Sequence, residues 1–119
     1  MTGSVAARRL LAAIRVANGA AALLAPARLA ERLGADPAEN PALLYVFRMF
    51  GVRTIVMGRD LFRGEPHAVQ AAPLVHASDT IAAALAAASG KLPRRAGVLI
   101  VGISALNTAL AVAARRDSR

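Results

Sequence analysis

His76 and Asp79 lie one helical turn apart inside an apolar stretch, with Thr80 directly after them. Residues three or four apart share a helix face, so an imidazole, a carboxylate and a hydroxyl line up together. Such a set can move a proton, with Asp79 as donor or base and His76 beside it. It can also hold a polar ligand or tie two helices together. Three other apolar stretches carry polar groups near their middles. These are Arg15 with Asn18 in the first, Arg53 in the second, and Ser104, Asn107 and Thr108 in the last. Asp79 is the only carboxylate at that depth.

The spacing suggests how these groups meet. Arg48 and Arg53 are separated by about 140° around a helix at about 100° per residue, so they cannot serve one point equally. Arg53 is the more central, and Asp79 follows on the next segment, so the expected pair is Arg53 with Asp79. Arg48 and Arg59 are expected to snorkel toward opposite interfaces. This pairing leaves Arg15 without a counter-charge, and a buried unpaired charge is expensive. The expected ligand-binding set is therefore Arg15, Asn18, Arg53, Asp79 and Asn107, around a small amphiphilic or anionic group. Asp79 and His76 are the candidates for acid–base chemistry.

Other chemistries lack their residues. His67 and His76 are the only histidines and there is no cysteine, so no metal site is expected. Gly51, Gly58 and Gly64 do not form a phosphate-cradling loop, no serine nucleophile elbow is present, and no cofactor is implied.

The elements that position these groups read as helices. The chain has 119 residues, 56% hydrophobic, 18% charged and 3% aromatic, and 30 of them are alanine. Few aromatic residues and short β-branched runs argue against a β-protein, and alanine favours helix. A first helix covers about 5–25 and stops at Pro26. A short amphipathic piece, Arg28 to Leu33, ends at Gly34. Asn40-Pro41 open a second helix that ends at Gly64. A third runs from Pro66 to Ala88, with Pro73 expected to kink it or end its first turn and a half. A fourth runs from Pro93 to Ala114. Each long segment has about the 20 residues needed to cross a bilayer, although only Ala96 to Ala114 is free of charge throughout. A soluble bundle with surface arginines is the competing architecture. It requires a polar face, and residues 81–88, Ile-Ala-Ala-Ala-Leu-Ala-Ala-Ala, offer none. The expectation is one all-α domain over 1–119: a four-helix transmembrane bundle with a short amphipathic segment between helices 1 and 2.

The net charge of +8 comes largely from arginine pairs at segment ends: Arg8-Arg9, Arg94-Arg95 and Arg115-Arg116. Pairs flanking apolar stretches suit anionic lipid, whereas a nucleic-acid footprint would be one basic stripe with interleaved aromatics. Membrane lipid is thus the expected partner and nucleic acid is not. Arg15 and Asn18 interrupt the first apolar stretch, which argues against a cleaved signal peptide. Four spans place both termini on one side, with Arg8, Arg9, Arg59, Arg63, Arg115, Arg116 and Arg119. The other side carries Arg28, Arg32, Lys91, Arg94 and Arg95. The bias of seven to five leans toward a plasma-membrane protein with N and C termini inside. Gly51 and Gly58, like Ala82/Ala86 and Ala83/Ala87, have the spacing of close-packing helix positions.

Arg48-Met49-Phe50-Gly51-Val52-Arg53, continuing to Gly58-Arg59-Asp60-Leu61, resembles a stretch of small uncharacterised four-span bacterial membrane proteins, many of them actinobacterial. His76-Ala77-Ser78-Asp79-Thr80 fits the same pattern, with an acidic residue in the third span. The resemblance implies a four-helix membrane bundle, and it transfers no activity and no catalytic role. Three functions stay open. One is a membrane protein binding a small amphiphile at a polar centre. Another is a membrane-embedded isomerase or cyclase of lipid-like substrates. The third is a structural subunit that assembles with itself or with a partner membrane protein.

Overall fold

In the computed structural model, which describes residues 3–116, the chain is all-helical. The helices are α1 (Gly3–Leu24), α2 (Pro26–Arg32), α3 (Pro41–Arg63), α4 (Pro66–Ala88) and α5 (Arg94–Arg116). Proline and glycine set most of the boundaries. Pro26, Pro41 and Pro66 stand in the first turn of α2, α3 and α4, where a missing N–H costs nothing. Gly34, Gly64 and Gly90 follow the ends of α2, α3 and α4 with φ of +83°, +74° and +73°, the left-handed conformation that ends helices. At Gly64 the backbone N–H of Glu65 returns to the Asp60 carbonyl. Two local expectations change. Asn40 does not cap α3 with its side chain; its amide donates to the Asp36 carbonyl instead. Pro73 does not end the first turns of α4, which runs unbroken from Pro66 to Ala88.

The order of packing differs from the order of the chain. α1 packs on α3 and on α5, and α5 packs on α4, whereas the consecutive α3 and α4 make little contact. The α1–α3 crossing is tight because small residues meet: Gly19 faces Gly51, and Ala12 and Val16 face Gly58. The two helices are antiparallel, and at their far end Arg8 of α1 donates to the carbonyl oxygens of Leu61 and Phe62. Arg9 stands 5.5 Å from the centroid of the Phe62 ring. Arg8 thus adds a donor to carbonyls at the end of α3, where a helix runs out of its own N–H partners. At the opposite end Gly34 lies against Pro93, which brings the α2–α3 and α4–α5 connections together. α2 turns away from α1 by 103°.

An apolar cluster of Leu11, Ala12, Leu61, Val69, Ala72 and Ala111 joins α1, α3, α4 and α5. Large apolar side chains are mostly outside: Leu24, Leu74, Ile81, Leu85, Val98 and Leu99 are all exposed. Arg15, Thr54, His76 and Asn107 are buried. α3, α4 and α5 are each long and apolar enough to cross a membrane; α1 meets that test only together with α2, as a bent pair.

Candidate functional site: a buried polar cluster

The cluster is built around Arg15. On α1 it has Ala12 and Gly19 on the same face, both small and both buried, and these leave room for a guanidinium to pass between α1 and α3. Arg15 is 5% exposed. Its Nη1 lies 3.7 Å from Oδ2 of Asp79 on α4. Its Nη2 donates to Oγ1 of Thr54 on α3 over a long 3.5 Å. The guanidinium carbon also stands 6.0 Å from the centroid of the Phe50 ring, at the edge of cation–π reach. One side chain from α1 therefore links α3 to α4, the two long neighbours that barely pack on each other.

His76 is 1% exposed. Its Nδ1 is 3.8 Å from Asp79 Oδ2, beyond hydrogen-bond distance, so neither ring nitrogen has a hydrogen-bond partner. Asn107 on α5 is 3% exposed, and its Oδ1 is also unpartnered, as is Nε of Arg15. The hydroxyl oxygens of Thr80 and Thr108 lie 3.1 Å apart across α4 and α5, and each also lies within reach of the carbonyl one turn back, at His76 and Ser104. Because each hydroxyl has one proton, one donates across the helices while the other donates to its own carbonyl and accepts. The Thr80–Thr108 contact is interhelical glue, as its position in two apolar helices suggests.

His76 lines a cavity of about 100 Å³ between α3 and α4, together with Met57, Leu61, Ala72 and, farther out, Asp60 and His67. His67 is largely exposed and lies 3.5 Å from Asp60. The cavity thus runs from the exposed His67 and part-buried Asp60 at the α3–α4 turn to the buried imidazole. At about 30 Å³ per water, it holds a few waters or one small polar group.

The placement corrects the expected pairing. Asp79 is not the partner of Arg53. It pairs with Arg15, and Arg53 is exposed on the outer side of α3. The reason is steric. The buried stripe of α3 is Gly51, Thr54, Gly58 and Leu61, because its small members permit the close approach to α1. Arg53 sits one residue, about 100°, off that stripe. Arg15 is therefore not left without a counter-charge: the buried cation meets an anion at the edge of the bundle. Asn18 is part-buried and makes no hydrogen bond to the cluster. Of the expected set, Arg15 and Asp79 come together, Asn107 is buried in α5, and Arg53 and Asn18 stand apart. Thr54 was missed, although the run of small residues at 51, 54 and 58 marks its face. Among the described residues no group of three His, Asp or Glu has a metal-binding arrangement. Comparison with protein-family models, with curated proteins and with solved structures found no match to this chain.

Proposed function

We propose that the protein is an integral membrane protein of four spans that binds the polar head of a small amphiphile at its mid-depth cluster. α1 supplies the fourth span, and α2 lies along the interface. The distribution of side chains supports the membrane setting: many large apolar residues face out while Arg15, Thr54, His76 and Asn107 face in, the arrangement that hydrocarbon favours. The type of protein is the small bacterial one that the Arg48–Leu61 stretch resembles. The termini and the α3–α4 turn lie on the more basic side, inside the plasma membrane; Arg119, counted on that side, falls outside the described residues. Carbonate washing of membranes tests the setting. The protein stays in the pellet, and recovery of folded protein without detergent overturns the reading.

The observation that carries the binding function is the set of buried, unpartnered polar atoms: both nitrogens of His76, Nε of Arg15 and Oδ1 of Asn107. Each such atom costs about 1–3 kcal/mol if nothing pairs with it. Of these residues His76 lines the cavity between α3 and α4, and a bound group there with both a donor and an acceptor satisfies its two nitrogens. Because Asp79 already balances Arg15, the group is neutral or zwitterionic rather than anionic. His76→Phe separates binding from mere packing. If a ligand is held there, native mass spectrometry of wild type released from mild detergent shows a bound mass that the variant lacks, and the variant melts lower. If the cluster is dry, the variant is as stable as wild type or more stable, since an apolar ring replaces unpaired nitrogens, and no bound mass is found.

A second function, acid–base isomerisation or cyclisation of a lipid-like substrate, is favoured by one feature. The Asp79 side chain is 46% exposed although it lies mid-helix against Arg15, so its carboxyl is open to a substrate from outside the bundle. Asp79→Asn distinguishes the two functions, because it abolishes turnover in an enzyme and alters only affinity in a binder.

A further inference from the structure

We propose that Arg48 and Arg53 form a second site, on the outer face of α3, for an acidic phospholipid. An acyl chain lies in the apolar hollow along Leu23, Met49 and Val52, and the lipid phosphate meets the arginine heads at its rim. The proposal rests on the membrane setting but not on the buried cluster.

The two arginines leave α3 about 140° apart, yet both line one surface hollow of about 370 Å³, with Leu23, Tyr45, Met49 and Val52. The wall of the hollow is almost wholly apolar, so the arginine stems line it from either side and the charged heads stand at its rim, as snorkelling arginines do. The residues that share the hollow with Arg53 all precede it in α3 or belong to the end of α1, so the Arg53 side chain lies back toward the α2 end of the bundle. Tyr45, in the second turn of α3, marks the interfacial rim, where a tyrosine hydroxyl meets headgroups. The walls between are apolar, which suits a chain and not a free ion.

Neither guanidinium has an ion-pair or hydrogen-bond partner among the described residues. A guanidinium facing hydrocarbon requires an anion or water. The chain does not supply the anion. Asp79 is engaged with Arg15, and the other acidic residues among those described, Glu31, Asp36, Glu39, Asp60 and Glu65, lie in connections or near helix ends. A second copy of the chain therefore brings no free mid-depth carboxylate to this face. The surrounding bilayer does bring an anion, and arginine matches phosphate geometry with two parallel donors.

The test compares wild type with the double variant R48Q/R53Q, both purified in a neutral detergent, by thermal melting with added phosphatidylglycerol, phosphatidylcholine or glycerol phosphate. Phosphatidylglycerol raises the melting temperature of wild type, and the other two additions do so weakly or not at all. R48Q/R53Q melts with wild type in detergent alone and loses the response, with affinity for phosphatidylglycerol lower by roughly tenfold or more. Equal responses to phosphatidylglycerol and phosphatidylcholine overturn the site while leaving the membrane setting intact. No response to either lipid, with folded protein soluble without detergent, removes the setting itself. An equal response to glycerol phosphate shows an ion site without a lipid chain and overturns the proposal. So does a wild-type dimer that R48Q/R53Q abolishes regardless of lipid.

Discussion

Replacing Asp79 by leucine is expected to cost about 3–5 kcal/mol, because it leaves the Arg15 guanidinium buried without a counter-charge. The reverse change is milder. Arg15→Leu leaves a carboxyl that is 46% exposed and can take up a proton, which a buried guanidinium cannot readily lose, so its cost is nearer the roughly 1–3 kcal/mol of an unsatisfied polar group. The double change Arg15→Leu/Asp79→Leu removes both charges and regains much of the loss seen with Asp79→Leu alone. The asymmetry and the recovery together identify the pair, and unfolding in detergent measures both. Arg53→Leu is the control. Arg53 is exposed and has no partner among the described residues, so in lipid-free detergent it changes stability by no more than about 0.5 kcal/mol. If Arg53→Leu is as damaging as Arg15→Leu, or if the losses of Arg15→Leu and Asp79→Leu simply add, the assigned pair is wrong.

That control reflects what a sequence conveys about a bundle of long apolar helices. Position along a segment was legible: Arg15, His76, Asp79 and Asn107 all fall near the middle of long helices, and all lie in or beside the interior of the bundle. Proline and glycine gave the ends of the helices, because each acts on the local backbone whatever packs nearby. Which helix neighbours which is a different kind of information. Chain order suggests that α3 and α4 are paired, and on that basis Arg53 was matched with Asp79. In the structure α3 leans on α1 instead, because Gly51 and Gly58 let it approach Ala12 and Gly19. The facing side of α3 is thus set by where side chains are smallest, not by where charge is most central. Arg15 then reaches Asp79 across the poorly packed α3–α4 seam, a contact between helices far apart in the chain. The unpartnered nitrogens of His76 were beyond reach for the same reason: burial of a mid-helix histidine follows from its depth, but the lack of a partner depends on every neighbour at once.

The closeness of α1 and α3 makes the second large effect a backbone matter. A Cβ added at Gly51 would lie 2.6 Å from the Gly19 carbonyl oxygen and 2.8 Å from the Leu23 backbone nitrogen. Both obstacles are main chain within a helix, so neither can rotate away as a side chain would. Gly51→Ala must push the helices apart, at a cost of about 1–3 kcal/mol or somewhat more for an overfilled contact. This exceeds the gain of up to about 1 kcal/mol that alanine brings over glycine in a helix. Gly58→Ala meets the Val16 Cγ2 methyl at 2.8 Å and the Ala12 carbonyl oxygen at 3.1 Å. Part of that obstacle is a side chain, so the loss is smaller. Gly102→Ala, on the exposed side of α5, meets nothing within 4 Å and is expected to be neutral or slightly stabilising. The order of melting temperatures in detergent is therefore Gly102→Ala at or above wild type, then Gly58→Ala, then Gly51→Ala. Parting α1 from α3 also lengthens the contact of Arg15 with Thr54, already 3.5 Å, so Gly51→Ala weakens any ligand held at the buried cluster while touching none of its side chains. Equal stability of Gly51→Ala and Gly102→Ala would show that the glycine-to-glycine crossing is not what brings these helices together.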